Sequence, residues 1–326
     1  MNDSGFPEMS VIIVAPDRYE TIRKTVRHLR AQTVKHLLEI VIVAPSEEKL
    51  GLVGSEVEEF FQTRVVELNM VSSLAAARAV GIRQASTPVV VFAEDHSFPD
   101  PGWAEALIQA HKVPWAAVGS VICNANPESV ASWAQLFLTY GRWTEPASAA
   151  EIDDLPGHNS SYKRALLLNY GSELETKLLR ETMLHWDLRA RGYRLYFEPA
   201  ARTYHVNISQ LFYIMQDSFY GGRLFAATRA SNGRWSLLKR LVYAASEPFF
   251  LLRHSRGVLK NIRRAGLWEK LMPRAIPILV LGLAALGLGE MLGYAFGAGD
   301  SERLANSFEF HRHRFLTEQD RQLGIV

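Results

Sequence analysis

The chain has 326 residues, 48% of them hydrophobic and 21% charged, with a formal net charge of +2. That balance excludes extended disorder, and the length leaves room for one large core plus an appendage. The single cysteine, Cys123, excludes an intrachain disulfide and a multi-cysteine metal site, and fits a reducing compartment. Lying in the apolar run AAVGSVIC, it reads as a core thiol rather than a nucleophile.

The first residues, MNDSGFPEMS, have neither a basic start nor an apolar stretch, so no signal peptide is expected and the catalytic part is expected to stay in the cytosol. SVIIVA (Ser10–Ala15) reads as a buried strand and Glu20–Gln32 as a helix with Ile22, Val26 and Leu29 on one face. EIVIVA (Glu39–Ala44) and the weaker RVVEL (Arg64–Leu68) follow as strands, then a helix over Ser72–Gln84 and the strand PVVVFA (Pro88–Ala93). Strands apolar on both faces and separated by helices imply an α/β architecture with a mostly parallel sheet and helices on both faces. In such sheets ligands bind beyond the carboxyl ends of the strands, which gathers Pro16–Arg18, Ala44–Ser46 and Glu94–His96 around one crevice.

Further along, Ala116–Ile122 reads as a strand, Glu128–Tyr140 as a helix and Gly141–Gly157 as a loop. Helices are expected over Lys163–Asn169 and Glu173–Arg191, followed by two strands, RLYFE and ARTYHV. From Ile208 onward the pattern is helical, which sets the domains at 1–207 and 208–326. Charge is unevenly spread: residues 221–274 hold twelve Lys and Arg against two Glu, a net of +10, leaving −8 for the rest. This basic amphipathic segment, interleaved with Leu251, Leu252, Leu259, Leu267 and Trp268, fits a membrane surface as partner better than a nucleic acid. The apolar segment 275–297 that follows approaches the length of a spanning helix but is interrupted by Glu290. Three readings stay open for it: a span, a helix or hairpin lying in one leaflet, and a buried soluble helix.

The strongest chemical signal is FAEDHSFPDPGW (Phe92–Trp103), where an apolar strand ends in Glu94-Asp95-His96. Charges at the end of a buried strand are costly unless neutralised. A divalent cation gripping a diphosphate would do this, carboxylates suiting Mg²⁺ or Mn²⁺ and an imidazole favouring Mn²⁺. A solvated turn is the alternative.

From Ser10 to about Asn207 the chain resembles the family 2 glycosyltransferases of the GT-A fold. SVIIVAPDRYETIRKTVRHLRAQT is similar to their opening strand and helix, LAAARAVGIRQAS to their A-R-N-x-G-I-x-x-A helix, and Glu94-Asp95-His96 stands where they carry D-x-D. LPGHNSSYKRALL resembles their acceptor-side motif, and ETMLHWDLRARGYRLYFEPAARTYH their E-D-x-x-L-x-x-R-L-x-x-x-G helix with its following strands. The resemblance implies a bacterial-type, non-processive and inverting transfer of a sugar from a nucleotide-sugar donor to a glycan or lipid-linked acceptor, at the cytoplasmic face of the membrane. It implies Glu181 as general base and Ala15, Pro16, Asp17, Arg78, Glu94 and Asp95 on the donor side. On the acceptor side it implies His158, Asn159, His185 and Trp186, and around a Mn²⁺ or Mg²⁺ ion Glu94, Asp95, His96 and His205.

The chain departs from the pattern where the family's Asp pair is replaced by Ala44-Pro45-Ser46, and Ala79 replaces the usual Asn. No Q-x-x-R-W of processive synthases occurs, Arg234-Trp235 standing in SNGRW instead. Two other classes stay open: a catalytically silent membrane-associated scaffold, and a nucleotidyltransferase. Phosphate-loop, dinucleotide and hydrolase motifs are absent from the sequence.

Overall fold

The computed structural model describes residues 6–322; Met1–Gly5, half of the segment read as carrying no leader, lie outside them. In chain order come β1 (Met9–Val14), α1 (Tyr19–Arg30), β2 (Leu38–Ala44), α2 (Glu47–Leu50), β3 (Gln62–Glu67), α3 (Leu74–Gln84), β4 (Val89–Ala93), β5 (Ser97–Pro99) and α4 (Trp103–Ala110). Then follow β6 (Ala117–Asn124), α5 (Val130–Thr139), β7 (Ala150–Ile152), β8 (Ser161–Lys163), α6 (Arg164–Leu168), α7 (Leu174–Leu178), α8 (Glu181–Ala190) and β9 (Leu195–His205). The remainder is helical: α9 (Leu211–Asn232), α10 (Leu237–Arg264), α11 (Trp268–Leu271), α12 (Ile276–Phe296), α13 (Ser301–Phe310) and α14 (Glu318–Gln322).

Two compact units result. One holds the chain up to Cys123 together with Ala147–His205; the other holds Asn124–Pro146 and the chain from Val206 onward. The break expected after residue 207 therefore falls after His205, and the second unit also takes in α5, which chain order had assigned to the first.

In the first unit the sheet runs β3-β2-β1-β4-β8-β6-β9-β5, with β7 added on β9. β1, β2 and β4 are buried along their whole length, as their Val- and Ile-rich sequences require of strands covered on both faces. Parallel pairing extends only from β3 to β4, whereas β8 lies antiparallel to β4 and β6, and β9 antiparallel to β5 and β7. The sheet is thus mixed rather than mostly parallel. β5, β7 and β8 have three residues each, too few to leave a periodic signal in the sequence.

Two expectations need correcting. RLYFE and ARTYHV form one strand, β9, because Pro199 falls between the stretches that pair with β7 and with β5 and breaks neither ladder. The helix expected over Glu173–Arg191 is broken at Arg180, whose backbone is extended, so that Glu181 opens α8 as its first residue. Cys123 also differs from expectation, being half-buried beside the Arg202 guanidinium rather than in the core.

In the second unit α9 and α12 pack with backbones in contact. A Cβ at Gly289 would collide with the Phe219 carbonyl oxygen, and one at Gly293 with that of Arg223. Small residues at such points are what permit the close approach. α12 is the one helix among the described residues that is long and apolar enough to cross a membrane, with mean hydropathy 1.9 over its best window, a third of which is buried. Its interrupting acid, Glu290, is hydrogen-bonded to Glu247 of α10. Burial and the Glu290 carboxyl push Glu247 up to about 8.

Gly289→Ala is expected to cost about 1–3 kcal/mol through overpacking, read as a lowered thermal midpoint. An acid whose folded pKa lies above its unfolded one holds its proton longer when folded. Its contribution is complete below the ordinary carboxylate range and is lost as pH rises toward 8. Glu247→Gln should therefore raise the thermal midpoint, with a gain that grows between acidic and mildly alkaline buffer.

Candidate active site

β4 ends at Ala93 and the chain passes through Glu94-Asp95-His96 into β5. These side chains are not a solvated turn: their residues are 7%, 8% and 1% exposed. The β5–β9 ladder sets Ser97 opposite His205, which carries a histidine remote in sequence to the side of His96. The two rings meet edge to face with centroids 4.9 Å apart. Glu94 Oε2 lies 3.7 Å from Nε2 of His96 and 3.7 Å from Nε2 of His205, and finds no hydrogen-bond partner among the described residues.

Ligand atoms of Glu94, His96 and His205 all fall within 4.8 Å of one another, which fits a divalent cation. One carboxylate and two imidazoles favour Mn²⁺ or another borderline ion over Mg²⁺. Asp95, expected among the ligands, instead holds the far side of His96, with its Oδ1 2.5 Å from Nδ1. A carboxylate in that position fixes the ring so that Nε2 faces inward.

Beside this cluster stands a second charged group. Arg78 projects from α3, 2% exposed, with its guanidinium over the Phe92 ring. Its Nη1 donates to Glu181 Oε1 at 2.5 Å, and its Nη2 lies 2.8 Å from His158 Nδ1 and 3.8 Å from Glu94 Oε1. His158 Nδ1 also touches Glu94 Oε1. Burial would raise Glu94, but His158, His96 and His205 outweigh it and hold the carboxylate well below its usual range. Burial likewise opposes ionisation of Glu181; Arg78 first, then His158 and the backbone amide at the start of α8, lower it. Both groups are therefore carboxylates at neutral pH. Gly157 makes room for Glu181, since a Cβ there would lie 2.7 Å from its Oε2.

Other expected residues fall elsewhere. His185, expected toward an acceptor, is wholly buried, with Nε2 2.8 Å from Tyr162 Oη and Nδ1 2.7 Å from Asp154 Oδ1, and has no surface to offer a ligand. Asn159 is 1% exposed and spends its amide on Ser97 Oγ, with φ of 61° in the left-handed region that Asn tolerates. The side chain thereby braces the loop entering β8. Trp186 is 39% exposed on α8. Ala15 is buried at the end of β1, Pro16 is partly covered and Asp17 is exposed. Sequence reasoning missed Asp154 and Tyr162, which no local motif marks, and the contact of His158 with Glu94.

Residues 10–171 match the profile of glycosyl transferase family 2. That segment, just under half of the chain, is similar to family 2 glycosyltransferase domains. The domain's sheet and helical layers are of the GT-A class, and Arg78, Glu94, His96 and His158 all fall inside the match. Glu181 and His205 lie beyond it. Polypeptide N-acetylgalactosaminyltransferase 3 of Drosophila melanogaster is 26% identical over 133 residues, 38% of this chain. The chain spans 20% of the length of that curated relative. Among solved structures, S. aureus TarS 1-349 in complex with UDP superposes with a TM-score of 0.45 at 16% identity, covering 87% of this chain and 90% of that one.

Arg78→Met would strand Glu181 as a buried charge, and is expected to cost about 3–5 kcal/mol at alkaline pH. The loss should shrink in acid, where the unpaired carboxyl takes up a proton; urea unfolding at two pH values checks the sign.

Proposed function

We propose that the protein is a glycosyltransferase that moves a sugar from a nucleotide-sugar donor to an acceptor hydroxyl, with inversion at the anomeric carbon and one sugar per encounter. The observation that carries this reading is the meeting of two ionised carboxylates, Glu94 with His96 and His205, and Glu181 with Arg78, in a domain similar to those of family 2 glycosyltransferases. A divalent cation held by Glu94, His96 and His205 would supply neutralisation of the departing diphosphate.

Glu181 receives the acceptor's proton as the hydroxyl oxygen bonds to the anomeric carbon, and the electron pair of the broken C–O bond leaves with the nucleoside diphosphate. Arg78, released from Glu181 by the arriving hydroxyl, is placed to meet the negative charge that develops on the leaving group. Glu94 is the junction of the two groups, touching His158 on one oxygen and facing both metal-side histidines with the other. A bacterial source, the cytoplasmic membrane face and a lipid-linked or cell-surface glycan acceptor belong to the same proposal, on the strength of the basic and apolar helices after β9.

A silent scaffold is the competing reading, favoured by Ala44-Pro45-Ser46 at the end of β2, where the family pattern has an Asp pair. Calorimetry with UDP and with GDP in the presence of Mn²⁺ separates the two. Binding that disappears in His96→Ala and His205→Ala supports the transferase; no binding by the unaltered chain under any divalent cation supports the scaffold. Glu181→Gln is expected to lower sugar transfer about 10²–10⁴-fold while leaving nucleotide binding nearly intact. Unchanged turnover would remove Glu181 as the base, and release of pyrophosphate would make the protein a nucleotidyltransferase.

A further inference from the structure

α10 leaves one stripe uncovered along its length. Over its first four turns that stripe is apolar, with Leu238 74%, Val242 54%, Phe249 70% and Leu252 50% exposed on one face, at spacings of four, seven and three residues. Over the next three turns the same stripe continues as Arg256, Lys260 and Arg263, with Arg253 at the junction, all exposed. α12 also shows solvent an apolar stripe, in which Val280 is 58%, Leu288 51% and Phe296 76% exposed. Both helices lie in the second unit.

Their pairing is antiparallel. Arg240 Nε donates to the Tyr294 carbonyl at 2.7 Å, Leu251 lies against Gly287, and Val258 and Ile262 pack with Leu279 and Ala275. Arg253 and Arg256 are thus carried beside the interior of α12, not beyond its ends. On its other side α12 is bound to α9 at Gly289 and Gly293, next to Arg223. Were α12 to cross a bilayer, α9 and α10 would be drawn in with it, and Arg253 and Arg256 would sit at hydrocarbon depth, where cations are costly.

We propose that this unit docks on an anionic bilayer with the first half of α10 and the adjoining last half of α12 lying in one leaflet: Leu238 to Leu252, with Leu288 and Phe296 beside them, enter the acyl boundary, and Arg253 to Arg263 rest on the headgroups. α12 does not span. The sequence of the stripe, apolar and then cationic, is what selects a bilayer over a second copy of the chain. Two such stripes laid parallel would set cations against cations, and laid antiparallel would press Arg256 and Lys260 onto the partner's apolar half. An interface with acyl chains at one depth and anionic phosphates at another accepts both halves. The mode rests on the helical unit alone and stands or falls independently of the transfer reaction.

The test is flotation of the full chain with vesicles of phosphatidylcholine, with and without phosphatidylglycerol. Strong flotation is expected with phosphatidylglycerol, lost in high salt. The double charge reversal Arg256→Glu with Lys260→Glu should lower it about tenfold or more. Phe249→Ser with Leu252→Ser should lower it comparably; both pairs are exposed, and an unchanged thermal midpoint would verify folding. Failure of the unaltered chain to float, or equal flotation with and without the anionic lipid, would overturn the proposal. A dimer by light scattering that Phe249→Ser dissolves would assign the stripe to a second copy instead. Retention in cell membranes through alkaline carbonate extraction would show that α12 is a span.

Discussion

A carboxylate placed where a buried strand ends has to be answered by positive charge, and much of the first unit is arranged around that necessity. β4 is apolar throughout and delivers Glu94 into a largely buried position. The answer comes from three separate pieces of chain: His96 from the turn into β5, His158 from the loop before β8, and His205 from the end of β9. Two of these partners leave Oε2 at a distance that suits an ion better than a direct hydrogen bond. The β5–β9 ladder is short, yet it brings His205 to Glu94.

The neighbouring ion pair sets a buried cation against the carboxylate proposed as the base. Arg78 reaches Glu181, His158 and Glu94 from one guanidinium, so a change at any of them is felt by the others. Glu181 owes its ionised state to Arg78, and owes its position to the break at Arg180 and to the missing side chain of Gly157. Beneath it, the buried chain of Asp154, His185 and Tyr162 ties α8 to β8 and gives α8 a fixed seat in the sheet. His185 therefore supports the helix that carries the base candidate.

The helical unit solves a different problem, that of holding a very apolar helix with an acid in it. Glycines let α9 close onto α12 backbone to backbone, and Glu247 shares a hydrogen bond with Glu290 so that neither carboxyl is buried alone. What remains of α12 and α10 outside these contacts is an uncovered apolar surface with cations at one end. Such a surface is seldom left to water.

The sequence by itself determined β1, β2, β4 and the amphipathic α1, because burial on both faces or on one leaves a period that reads directly from residue type. It also determined that Glu94 to His96 needed a counter-charge, since acids directly after an apolar strand have no other explanation than exposure or neutralisation. Only the tertiary structure decided between those two, and only it showed that Asp95 orients His96, that His158 joins Glu94, and that His185 and Asn159 are enclosed. The three-residue strands, the break at Arg180 and the antiparallel half of the sheet were likewise beyond the sequence. Each of these depends on which distant segment pairs with which, and pairing is settled by register and packing, quantities that no local run of residues contains.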